Sequence, residues 1–320
     1  MAKKKSSPPD KKSSQRDTEL ALPEEFPLLK QGQYTDGHPL DDVHYLESKI
    51  ILKPDPFVSV KSFRDFAEIV ADVASDSRVE FAPKNLADRK PQFREVVFLD
   101  TEDFRLYNNA FILRRRVQYE DGFPLGDPEI VFKFRHADMQ KAAELDVRPH
   151  ISGVARIKFK SEQLPLRDRF GGFRLLFSHN AEFGLSQVTD DDRGAMATFV
   201  RLFPCLAPLK KSETDRVELV NQTIVEEVLM DLGRLNFGKG VKAKCNVALW
   251  RQRGDHLPLV GEFAFQAKFD RREDLQEKAR RRSEKFFIGL QQAARDWVSL
   301  GTTKTGIVYR LKGNPPQSHE

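Results

Sequence analysis

The chain has no run of about eighteen apolar residues, so no segment reads as a membrane-spanning helix. Lysines near the N-terminus have no apolar stretch behind them, which argues against a secretory signal. Cysteine is nearly absent. Cys205 and Cys245 lack metal-ligand spacing and read as a pair of buried reduced thiols, so a cytoplasmic location is expected. The body also lacks any excess of charge. The net charge of +5 comes from residues 1–16, where Lys3, Lys4, Lys5, Lys11, Lys12 and Arg16 face only Asp10. Without them, 47 basic residues balance 47 acidic ones, so a basic pI says little about nucleic-acid binding by the folded part. The tail itself is too polar to fold; it reads as a solubilising leader or as a contact for nucleic acid or an anionic membrane surface.

The 320 residues are enough to bury a sizeable core. Residues 1–40 carry Pro8, Pro9, Pro23, Pro27 and Pro39 among charge runs and read as tail and linker. Residues 41–312 read as a single domain, and 313–320 as a polar C-terminal tail. A helix is predicted from about Lys61 to Ser75, with Phe63, Phe66, Ala67 and Val70 as its apolar stripe and Ser62 as its cap. Further helices are predicted over Gly194–Leu206 and from about Glu273 to Val298. Residues 224–232 could be strand or helix.

Most of the rest alternates with period two. Strands are predicted at 45–52, 94–100, 111–118, 129–135, 143–148, 155–160, 241–249 and 261–269. On one side they gather Lys49, Arg114, Arg116, Lys133, Arg135, Arg148, Arg156, Lys158, Lys160, Lys242, Lys244 and Lys268, with Glu47, Glu144, Asp146 and Glu262 among them. A lysine-rich sheet face bathed in water would alternate in this way. So would a sheet closed around a polar interior, where crowded cations repel and a polyanion would relieve them. Asp100 and Asp103 read as caps of a turn, and His44, His136 and His150 show no partner spacing.

Several of these residues resemble a known pattern. Tyr45-Leu-Glu47-Ser-Lys49 is similar to a first strand Glu-x-Glu-x-Lys with its first acid replaced. Leu99-Asp100-Thr101, Leu106 and Leu113-Arg114-Arg115-Arg116 follow, then an inward Lys133, then Ala142-Ala-Glu144-Leu-Asp146 in place of Arg-x-Glu-x-Glu. Glu262, Ala264 and Gln266 stand where alternating carboxylates would precede a C-terminal helix. Over about residues 43–300 the chain resembles a CYTH-type domain of the triphosphate tunnel metalloenzymes.

That resemblance implies an α+β fold, with a closed or nearly closed antiparallel β-barrel of about eight strands flanked by helices. It implies binding and divalent-metal-dependent hydrolysis of a triphosphate-bearing compound. Arg114, Arg116, Lys133, Arg135, Arg156, Lys158 and Lys244 would bind the substrate, and Lys49 and Glu144 would be catalytic. Glu47, Glu144, Asp146 and Glu262 would hold Mg²⁺ or Mn²⁺. The replaced acids at Tyr45, Ala264 and Gln266 leave open an alternative: a non-catalytic binder of polyphosphate, a nucleotide or an RNA end.

Overall fold

The computed structural model describes residues 27–313. The basic tail of residues 1–16 lies outside them. Eleven strands form one sheet: β1 (Tyr45–Leu52), β2 (Glu80–Pro83), β3 (Gln92–Asp100), β4 (Phe111–Glu120), β5 (Phe123–His136), β6 (Arg156–Pro165), β7 (Phe173–Gly184), β8 (Glu218–Leu219), β9 (Val225–Gly238), β10 (Val241–Gln252) and β11 (Pro258–Lys268). Six helices accompany it: α1 (Val60–Asp76), α2 (Arg105–Asn108), α3 (Met139–Glu144), α4 (Met196–Leu202), α5 (Glu277–Ala293) and α6 (Lys304–Tyr309).

The strand order is β2-β9-β10-β11-β1-β6-β7-β5-β4-β3-β8, and β9 also pairs with β3. The pairing therefore leaves β9 through β10 and returns to it through β3, so the strands ring around an interior. Residues 225–229 of β9 face β3, and β2 takes the same edge further on, at Gly233–Asn236. Gly233 allows that change of partner. Its φ is +133°, and a Cβ there would lie 2.2 Å from the carbonyl oxygen of Ala82.

The ring itself holds nine strands, near the number expected, with β2 and β8 attached at its edges. One correction is needed: the sheet is mixed rather than antiparallel, because β1 and β6 run parallel. More than a hundred residues separate those two strands, and so long a connection permits a parallel pairing that a hairpin forbids.

The alternation has a simple consequence. Outward positions of β1, β9, β10 and β11 pack against α1 and α5, with Ile50, Val247, Phe263 and Phe265 meeting Phe63, Phe66, Phe286 and Phe287. Outward positions of β4, β5 and β7 pack against α4 and the residue that follows it, with Leu113, Phe132 and Phe183 meeting Met196, Phe199 and Phe203. A third cluster lies on the inner side, where Ile51, Phe98, Ile112 and Trp250 meet Val308 and Tyr309 of α6. Tyr309 is held there by its hydroxyl, which donates to Asp100, and by stacking on Tyr107 at 4.1 Å.

Local details differ from the sequence reading for identifiable reasons. Helix α1 starts at Val60 because Ser59, not Ser62, accepts the capping N–H of Lys61. Helix α4 stops at Leu202, and Pro204 opens a separate 3-10 turn. Helix α5 is shorter than expected at both ends. Residues 225–238 resolve as strand. No strand forms at 143–148: Asp138 caps α3 by accepting from Gln140 and Lys141 N–H, and the chain then runs on as coil. Residues 33–40 fold back as a turn, with Tyr34 buried and its hydroxyl donating to the Ala143 carbonyl. The described residues therefore pack against the body before position 41.

Candidate functional site: a cationic cavity inside the ring

The inner faces of nine strands and the start of α6 enclose a cavity of about 330 Å³. Period two decides what points inward. Odd positions do so on β1 and β5, and even positions on β4, β6, β7 and β11. The cations lining the cavity are Lys49, Arg94, Arg114, Arg116, Lys133, Arg135, Lys158, Lys160 and Lys304, nine in all. Four carboxylates face them, from Glu47, Glu182, Glu227 and Glu262.

A fifth carboxylate, Glu162, lies fully buried behind this lining and is the hub of one wall. Its Oε1 accepts from Lys133 Nζ at 2.5 Å and from the Ser178 hydroxyl at 2.7 Å. Its Oε2 lies 3.2 Å from Lys49 Nζ and 3.5 Å from Arg135 Nη1. Glu47 is adjacent, 3.0 Å from Lys49 Nζ and 3.4 Å from Lys160 Nζ. Lys160 also donates to Gln266. Two acids thus answer four cations.

The charge states follow from this crowding. Burial opposes ionisation of Glu47, but Lys160 and Lys49 outweigh it and hold the carboxyl down at about 2. Glu162 is likewise held well below the usual carboxylate range. Burial also opposes the charge of Lys49, yet Glu162 and Glu47 raise its pKa above the ordinary lysine value. Lys133 bears the surplus. Burial, with Lys49 and Arg135 adding to it, pushes Lys133 down to about 7 despite its bond to Glu162.

A second, adjoining wall is balanced. Lys304 Nζ lies 2.8 Å from Glu262 Oε1 and 3.3 Å from Glu227 Oε1, and 4.5 Å from the centre of the Trp250 ring. The Trp250 indole N–H donates to Glu227 at 2.8 Å, and Arg94 approaches the same carboxylate at 3.3 Å. Burial pushes the Glu227 carboxyl up, but Lys304 and Arg94 bring it to about 2.

Between the walls stands Arg114. Its guanidinium makes no hydrogen bond or ion pair with any described residue, and its Nε is buried without a partner. Burial and the neighbouring Arg116 lower its pKa. Arg116 is paired with Glu129. Lys158 donates to Glu182 at 2.6 Å.

Of the residues expected at the site, Glu47, Lys49, Arg114, Arg116, Lys133, Arg135, Lys158 and Glu262 line the cavity together. Four do not. Glu144 is exposed at the end of α3, where it accepts from Gln140, and Asp146 pairs with Arg148 and lies outside the ring. Both were placed on a strand that does not form. Arg156 sits at the rim, its side chain 64% exposed, against Glu182. Lys244 is exposed and does not line the cavity.

Sequence reasoning passed over Glu162, Glu182, Glu227, Arg94 and Lys304. A signal for Glu162 was present, since it continues the parity of Lys158 and Lys160 along β6. Lys304 gave none: it reaches the cavity from a separate helix.

Magnesium or manganese needs several oxygen ligands that are free to bind it. Here the lumenal carboxylates are engaged by the chain's own cations. Among the described residues no group of three or more His, Cys, Asp or Glu side chains could hold a metal ion. The donor set does not fit a resident divalent cation, contrary to the expected ligand set of Glu47, Glu144, Asp146 and Glu262.

No family model matches the chain, and no curated protein does. Among solved structures, the chain is similar to a candidate adenylyl cyclase from Hippeastrum whose dominant activity is described as triphosphatase. The two share 12% identity at a TM-score of 0.39, over 87% of this chain and 100% of that one. A candidate adenylate cyclase from Bacillus halodurans is 10% identical, with a TM-score of 0.36 over 85% and 98% of the two chains. Another, from Vibrio parahaemolyticus, is 10% identical, with a TM-score of 0.32 over 84% and 99%. Among the described residues, no helix is long and apolar enough to cross a membrane.

Proposed function

We propose that the cavity binds the phosphate chain of a triphosphate or polyphosphate compound, held by the protein's own cations. The observation that carries this is Arg114, which faces the cavity with a buried Nε that has no hydrogen-bond partner, set among cations that outnumber the lining carboxylates. A polyanion supplies the missing acceptors. Arg114 and Arg116 offer planar forks suited to phosphate oxygens, while Lys133, Arg135, Lys49 and Lys158 add point charges and further donors. Arg156 meets the ligand at the rim, and Lys244 takes no part.

Calorimetric titration of tripolyphosphate in EDTA tests this. Submillimolar binding is expected for the wild type, weakened in Arg114→Met by the loss of roughly 1.5–3 kcal/mol of charge-assisted hydrogen bonding. Absence of binding in the wild type would overturn the reading.

Hydrolysis of the bound chain is a second reading, favoured by Lys133. Lys133 lies at about 7 in the empty cavity; recharged beside a phosphate chain, its ammonium is placed to donate a proton to a leaving phosphate oxygen. Phosphate release from tripolyphosphate and nucleoside triphosphates, measured in EDTA, Mg²⁺ and Mn²⁺, separates an enzyme from a binder. Turnover that disappears in Lys133→Met while binding persists would make the protein a hydrolase.

A further inference from the structure

The balanced wall of the cavity has an unusual source of charge. Glu227 on β9 and Glu262 on β11 are both buried, and both reach a single ammonium. That ammonium does not come from the sheet. Lys304 is the first residue of α6, a short helix that returns to the ring after α5 and inserts its side chain among the strands.

Its position is tightly held. Thr303 caps α6 by accepting the Gly306 N–H at 3.0 Å. Asn221 donates to the carbonyls of Val308 and Tyr309, and the Tyr309 hydroxyl donates to Asp100. The Trp250 ring lies 4.5 Å from the ammonium while its N–H binds Glu227, so the indole ties cation and carboxylate into one unit.

Two buried carboxylates converging on one cation are also what a magnesium or manganese ion needs from a protein when phosphate oxygens and water complete its shell. We infer that the Lys304 ammonium is a built-in substitute for a divalent cation between Glu227 and Glu262, which leaves the anion site metal-independent. The inference deepens the phosphate-binding reading and rests on it for its functional meaning. The cation substitution itself is separable from that reading. In this arrangement Lys304, with Arg94 on Glu227, neutralises two adjacent carboxylates that would otherwise repel a phosphate chain. It does so permanently, without drawing on the metal supply.

The test begins with Mn²⁺ alone, in the absence of phosphate. Mn²⁺ is titrated into the full chain and into Lys304→Met, with bound ion read by electron paramagnetic resonance and folding checked by circular dichroism. The wild type is expected to take up no Mn²⁺ at submillimolar concentration. The variant is expected to gain one site per chain, lost again when Glu262→Gln is added. Lys304→Gln, which keeps an amide donor for one carboxylate, carries the same expectation should Lys304→Met fail to fold.

Tight Mn²⁺ binding by the wild type would overturn the inference. So would a folded Lys304 variant that binds no more Mn²⁺ than the wild type. A second arm measures tripolyphosphate affinity of the wild type in EDTA and in Mg²⁺. It should be no weaker in EDTA, and weaker binding there would also overturn the inference. If tripolyphosphate binds under neither condition, the phosphate reading fails, while the Mn²⁺ titration still decides the cation substitution.

Discussion

The two walls of the cavity are built from the same residue types and reach opposite electrostatic ends. Around Glu162 and Glu47, two carboxylates are shared by Lys49, Lys133, Arg135 and Lys160. Around Glu227 and Glu262, two carboxylates meet Lys304 and Arg94 and take a further bond from Trp250. The first wall keeps a cationic surplus that Lys133 expresses, and the unpaired Arg114 between the walls adds to it. The second is satisfied. Counting lysines and arginines on a face would not distinguish them, because the charge left over after pairing is what an incoming anion meets.

The strongest way to break this comparison is to remove the hub. Glu162→Gln leaves Lys133, Lys49 and Arg135 buried around a neutral amide, and roughly 3–5 kcal/mol of stability should be lost. Urea denaturation of the two proteins measures it, and tripolyphosphate should recover part of the loss by replacing the missing charge. Arg114→Met should separate binding from stability. Tripolyphosphate affinity falls by about tenfold to a hundredfold, while the midpoint of urea denaturation stays level or rises, because a cation among cations has been removed.

A third prediction concerns pH. Lys133 has a pKa of about 7 in the empty folded chain against an ordinary value of 10.5. Between those values the unfolded chain holds a proton that the folded chain has released. This group therefore makes the empty protein more stable as pH rises from about 7 to 10.5, and its penalty is constant below about 7. Binding has the opposite trend. A phosphate chain restores the ammonium, so affinity should fall as pH rises through 7, with proton uptake visible by calorimetry in buffers of different ionisation enthalpy. Lys133→Met should abolish that proton uptake. The smallest effect belongs to Glu144→Gln. On the exposed end of α3 it should change stability by no more than about 0.5 kcal/mol and leave tripolyphosphate binding untouched. A large loss of binding would put Glu144 back at the site.

Much of the cavity was legible because a strand's pleat is strictly local. Leu113-Arg114-Arg115-Arg116 and Val131-Phe132-Lys133-Phe134-Arg135 announce which side chains share a face, and the structure turns those faces inward together. Glu144 and Asp146 misled for the same reason: Ala143-Glu-Leu-Asp146 alternates like a strand, but the Asp138 cap commits the preceding residues to a helix. Residues 224–232 were ambiguous because the strand they enter takes two partners along one edge, β3 and then β2. Propensity in the segment itself carries no record of that switch.

Inside the chain's own sequence lay the polarity of each face, the balanced charge of the body and the concentration of cations on one side of the sheet. Tertiary structure alone decided which of those cations would be left without a partner. Pairing across a ring depends on register, on the parallel meeting of β1 with β6, and on a lysine delivered by α6. Some of these contacts join residues more than a hundred positions apart, beyond the reach of any periodicity.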